Sequence, residues 1–127
     1  MIFWMLAAMA LYYVGLFLPS PFLMQRIGVM TYFTGARDDD PTPQKLHGRI
    51  KRAHVNLGES MPIFLALGVL ALIVKDANLA LATAAAMVFV IARAVYLPAY
   101  ILGIPVLRSA IWSVGFSALL VMAYALI

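Results

Sequence analysis

The chain contains no cysteine, so disulfides, Cys-based zinc sites and an internal thiol nucleophile are all excluded. Any thiol chemistry would have to arrive with a ligand. Charge is scarce as well: only 11% of the 127 residues are Asp, Glu, Lys or Arg, and five acids stand against nine cations. Residues 1–24 hold no charged side chain at all. What fills the chain is apolar, with 65% hydrophobic residues and a mean hydropathy of +1.00. A soluble domain of this size cannot hide that much apolar surface from water. Lipid must be its solvent.

The net charge of +4 is not a nucleic-acid signature. Residues 26–52 carry Arg26, Arg37, Lys45, Arg49, Lys51 and Arg52 together with Asp38, Asp39 and Asp40, and no aromatic residues are interleaved with the cations of residues 37–52. Such a segment reads as a loop beside membrane spans, since a strand-binding surface needs stacking platforms among its charges. Three consecutive carboxylates splay in different directions, so Asp38–Asp40 suit a solvated turn or helix cap better than a metal site. His47 and His54 lack two further ligands, which leaves no metal site in the sequence.

The apolar runs predict an all-α integral membrane protein of four transmembrane helices packed as one bundle, spanning about 2–24, 45–74, 79–100 and 105–127, with a loop over about 26–44. No basic segment precedes the first run, and Pro19 and Pro21 stand where a cleavage site would need small residues, so it reads as a retained helix ended by those prolines. Lys75 to Asn78 make a tight turn, and Gly103 with Pro105 breaks the chain again, proline being suited to a first helical turn. Ser109, Ser113 and Ser117 recur every four residues and suit close approach of a neighbouring helix. The first loop holds most of the Lys and Arg, and Arg108 lies at the third connection. The positive-inside rule then puts both of these connections in the cytoplasm and both termini on the other side.

The second helix carries Arg49, Arg52, Asn56 and Glu59 within one stripe at about 100° per residue. Glu59 opens an uncharged stretch from Ser60 to Val74. A carboxylate facing hydrocarbon costs several kcal/mol, so it needs a partner or a water-filled cavity. The third helix offers Arg93, Tyr96 and Tyr100 on one face, with Arg93 isolated among the uncharged stretches Ala77–Ala92 and Ala94–Leu107. Antiparallel order brings Arg93 to the level of Glu59, and the pair is expected to meet inside the bundle. Arg108 faces the same layer. One carboxylate cannot neutralise Arg52, Arg93 and Arg108, so the surplus positive charge points to an anionic ligand, solvent or lipid headgroups.

The run Arg52-Ala53-His54-Val55-Asn56-Leu57-Gly58-Glu59-Ser60-Met61-Pro62-Ile63-Phe64 resembles the second-helix signature of the MAPEG family, the membrane-associated proteins in eicosanoid and glutathione metabolism. Ala92-Arg93-Ala94-Val95-Tyr96, Tyr100 and Gly103-Ile104-Pro105-Val106-Leu107-Arg108 resemble its later elements. The chain looks most similar to the small bacterial branch, which implies a bacterial inner-membrane protein. The resemblance implies a homotrimer with glutathione, as co-substrate, bound between subunits near the cytoplasmic face. Arg52, Asn56 and Glu59 would then hold the tripeptide, Tyr96 and Tyr100 would line its pocket, and Arg93 would brace it. His54 matches a position that faces the neighbouring subunit, and Arg108 matches the arginine that holds the glutathione sulfur as a thiolate. A nearby permanent cation favours the ionised, nucleophilic thiol.

On that reading the protein is a glutathione-dependent transferase or peroxidase acting on lipophilic electrophiles or hydroperoxides that enter from the bilayer. Ser60 stands where several characterised enzymes place a tyrosine, so the alternative is a non-catalytic subunit or scaffold of a larger membrane complex. A four-span drug exporter is disfavoured, because residues 1–24 lack the intramembrane acid that marks such a transport path.

Overall fold

The computed structural model describes residues 1–35 and 45–127, and the expected turn at Asp38–Asp40 lies outside them. The described chain is helical throughout its ordered elements: α1 (Ile2–Phe17), α2 (Ser20–Ile27), α3 (Val29–Thr34), α4 (Lys45–Ile73), α5 (Leu79–Leu102) and α6 (Pro105–Tyr124). The segments Gly48–Ile73, Leu79–Tyr100 and Val106–Tyr124 are long and apolar enough to cross a bilayer, and Ile2–Phe17 is a shorter apolar helix. Three candidate spans and one shorter apolar helix stand where the four transmembrane helices were expected, consistent with that bundle. At 1.5 Å per residue, α1 covers about 24 Å of a hydrocarbon core of roughly 30 Å.

The first helix stops at Phe17 instead of running to residue 24. Pro19 and Pro21 have no amide hydrogen to offer, so the bonding breaks at Leu18–Pro19 and α2 restarts with Pro21 inside its first turn. The expected loop over 26–44 is also partly helical, since α2 reaches Ile27 and α3 occupies 29–34 after a positive-φ turn at Gly28. α5 begins where Asn78 accepts a hydrogen bond from the Leu81 amide at 3.0 Å. The Asn78 amide in turn donates to the Ala125 carbonyl at 2.7 Å, tying the α4–α5 turn to the end of α6. Met1 packs against the small cluster Ala71, Ala82 and Ala125, so both chain ends share that end of the bundle.

The core lies where α1, α4, α5 and α6 converge. Ala8, Leu57, Met61, Phe64, Ala86, Phe89, Leu119 and Met122 are buried together. Phe64 and Phe89 stack at its centre with ring centroids 4.5 Å apart and planes 13° from parallel. α6 meets its neighbours through Gly115, Ala118, Leu119 and Met122, all buried, whereas Ser109, Ser113 and Ser117 are exposed. The serine spacing therefore does not mark the packing face within this chain. Position, not residue size, decided it: the buried residues fall on the stripe rotated toward α5.

α1 runs antiparallel along α4 and approaches it through glycines. A Cβ on Gly15 would lie 3.0 Å from His54 Nδ1, one on Gly58 would lie 3.5 Å from the Tyr12 ring, and one on Gly68 would lie 3.0 Å from Met5 Sδ. Small residues let membrane helices come close where no hydrophobic effect drives them together. Gly58→Ala is accordingly expected to be tolerated, while Gly68→Leu should cost about 1–3 kcal/mol by forcing Met5 and α1 away. Thermal unfolding of the two variants in detergent checks the contrast.

Candidate functional site

The end of the bundle opposite the chain termini gathers the predicted polar residues in two tiers. At the outer tier, Arg52 of α4 donates through Nε to the Tyr100 hydroxyl at 3.3 Å. Arg108, one turn into α6, sets its guanidinium carbon 5.1 Å over the Tyr100 ring. Tyr96 stands 5.5 Å from Tyr100 between ring centroids. Tyr100 is thus approached by one arginine from α4 and another from α6, a meeting that neither helix arranges by itself.

The inner tier lies one to two turns deeper. Arg93 is only 5% exposed. It donates through one terminal nitrogen to Asn56 Oδ1 at 2.9 Å, and its guanidinium carbon lies 5.2 Å from the Phe89 ring centroid and 5.8 Å from that of Tyr96. Its Nε is buried without a hydrogen-bond partner among the described residues, packed against Gly115, where a Cβ would lie 3.5 Å away. The expected Arg93–Glu59 ion pair is absent: Asn56 takes the guanidinium instead. Asn56 sits at the α4 position that turns toward α5, while Glu59 is exposed and has no hydrogen-bond or ion-pair partner among the described residues.

Glu59, Asn56, Ser60 and Arg93 form the polar side of a cavity of about 450 Å³ between α4 and α6. Its apolar wall includes Ile63, Leu67, Trp112 and Phe116. Trp112 and Phe116 stack one turn apart, 5.4 Å between centroids and 3° from parallel. These two aromatics escaped the sequence reading, although their i, i+4 spacing was a usable signal. The Ser60 hydroxyl turns back to donate to the Leu57 carbonyl at 2.9 Å, with the Asn56 carbonyl at 3.4 Å. It is occupied by its own helix.

His54 does not join this cluster. It lies two residues beyond Arg52, about 200° around the helix, and therefore points to the opposite side. There its ring lies 4.6 Å from that of Tyr12 of α1, tilted by 43°, with its Nδ1 buried beside Gly15. The arrangement sets Arg93 and Glu59 in the wall of an aromatic-lined cavity, with Arg52 and Arg108 meeting on Tyr100 in the outer tier. Such a site suits a ligand that combines charged groups with an apolar portion.

The MAPEG family model matches residues 1–127, the whole chain. A search of curated proteins gave no match.

Proposed function

Because the chain belongs to the MAPEG family and is an integral membrane protein, we propose that it is a glutathione-dependent transferase or peroxidase acting on lipophilic electrophiles or hydroperoxides. The observation that carries this reading is the separation of charge around the site. Among the described residues Glu59, on a membrane-spanning helix, has no counter-ion, while Arg93 is buried at the same level with one hydrogen bond, to Asn56. Both groups are costly at that depth unless something answers them. Glutathione brings an ammonium for Glu59, carboxylates for Arg52 and Arg93, and amides for the Asn56 side-chain nitrogen, which its bond to Arg93 leaves free to donate. Its sulfur then lies toward Arg108, where a guanidinium favours the thiolate without giving up a proton. The thiolate attacks an acceptor held along Trp112 and Phe116.

An exposed Glu59 also calls for cover, because a bare carboxylate on a lipid-facing helix is unfavourable by several kcal/mol. A second copy of the chain supplies that cover, in keeping with the homotrimer the family resemblance implies. The basic end, with Arg49, Arg52 and Arg108, then faces the cytoplasm and both termini lie outside, in a bacterial inner membrane. His54, whose ring packs against Tyr12 of α1 within its own chain, would face the neighbouring subunit of that trimer.

Purified protein in detergent should bind glutathione saturably at millimolar levels or below, and Arg52→Ala or Glu59→Ala should abolish that binding. Absence of binding by the wild type sinks the enzyme reading. The Ser60 hydroxyl, whose proton is spent on the Leu57 carbonyl, then favours the second one, a non-catalytic membrane subunit, since that position has no proton to donate to a ligand. Co-purification with other membrane proteins, unaffected by Arg108→Ala, is the result that reading requires.

A further inference from the structure

α5 ends on a left-handed glycine. Gly103 has φ +75°, and its amide donates to the carbonyls of Ala99 at 3.2 Å and Tyr100 at 3.1 Å. α6 follows after Ile104, whose carbonyl accepts from the Arg108 amide at 3.1 Å. Arg108 is therefore carried on a turn of two residues. Arg49 of α4 sits directly on that turn. A Cβ at Gly103 would lie 2.6 Å from both terminal nitrogens of the Arg49 guanidinium and 2.7 Å from its carbon. A side chain there would oblige the guanidinium to move, over and above the strain of a non-glycine residue at that φ.

The contact is chemically directed as well as close. The last carbonyls of α5 carry the negative end of its dipole, where a cation is favoured. One turn further along α4, Arg52 reaches the Tyr100 hydroxyl at 3.3 Å. Two arginines three residues apart thus grip the last turn of α5, one at its aromatic ring and one at its terminating glycine. The distance of Arg108 from the same ring depends on how that turn is held.

We propose that Arg49 is a positioning residue, which clamps the Gly103 turn onto α4 and thereby sets where Arg108 stands over Tyr100. The clamp stands on the fold alone; only its consequence for a bound thiolate rests on the glutathione reading.

Arg49→Met removes the charge and keeps the apolar stem, Arg49→Lys keeps the charge, and Gly103→Ala moves the guanidinium while also straining the backbone at φ +75°. Hydrogen exchange on the full chain in detergent should show the amides between Gly103 and Arg108 exchanging about fivefold faster in Arg49→Met and Gly103→Ala, and near wild type in Arg49→Lys. Amides of α5 before Phe89 should not change. With saturating glutathione, the ultraviolet absorbance of bound thiolate should fall about threefold in Arg49→Met and return in Arg49→Lys, with affinity held within about twofold. Should Arg49→Met not fold, Arg49→Gln replaces it in both measurements.

Unchanged exchange in Arg49→Met, or exchange raised throughout α5 and α6 alike, overturns the proposal. So does a local rise that leaves the thiolate signal of a glutathione-binding protein untouched. If the wild type binds no glutathione, it is the functional reading that fails, and the exchange pattern alone decides the clamp.

Discussion

Arg108→Leu is expected to leave glutathione bound and to slow its conjugation to a lipophilic electrophile roughly a hundredfold, the scale seen when one preorganised electrostatic group is removed. The reason lies in what the two tiers hold. Arg52, Asn56, Glu59 and Arg93 would grip the ends of the tripeptide, and none of them is disturbed by a change on α6. Arg108 approaches from another helix, over the Tyr100 ring at 5.1 Å. It would act on the sulfur and little else. The loss should therefore fall on kcat more than on KM, with the ultraviolet signature of the bound thiolate falling in parallel. Arg108→Lys should recover part of the rate, since charge returns but the planar fork does not. Turnover and thiolate unchanged in Arg108→Leu would remove this residue from the chemistry.

The second large effect concerns the core. Phe64→Ala should destabilise the folded bundle by about 3–5 kcal/mol. Phe64 and Phe89 are both wholly buried and stacked face to face between α4 and α5, with Met122 of α6 in the same cluster. In lipid the lost term is mainly packing, because tails outside the protein are as apolar as the core inside it. An alanine leaves a void that the flanking Ala86 and Met61 cannot fill. Val69→Ala, at a position 46% exposed, should change stability by no more than about 0.5 kcal/mol. Denaturant titration of both variants in one detergent separates packing from general sensitivity. Equal stability in the two would contradict this account of the core.

Much of the site was legible because a helix has a period. Arg52, Asn56 and Glu59 recur at spacings that put them on one side of α4, and Arg93, Tyr96 and Tyr100 do so on α5, so each stripe could be named from spacing. His54 faces another way. It belongs to the same run of residues, yet the 200° that separate it from Arg52 carry it to α1. The helix ends were legible where chemistry forces them: Asn78 caps α5, and Gly103 closes it in the left-handed region. The break at Pro19 was foreseen, but not that helix would resume at Ser20 and again at Val29.

Composition and periodicity by themselves determined that this protein lives in lipid, that it is helical, and which charged residues share a face. They did so because hydropathy and angular position about one helix axis are properties of a single segment. The tertiary structure decided the partners: Asn56 in place of Glu59 for Arg93, Tyr100 for both Arg52 and Arg108, and Gly103 as the seat of Arg49. Those depend on the rotation and height of one helix relative to another, which are set by how Phe64, Phe89 and the glycines of α1 and α4 pack. No single segment carries that information.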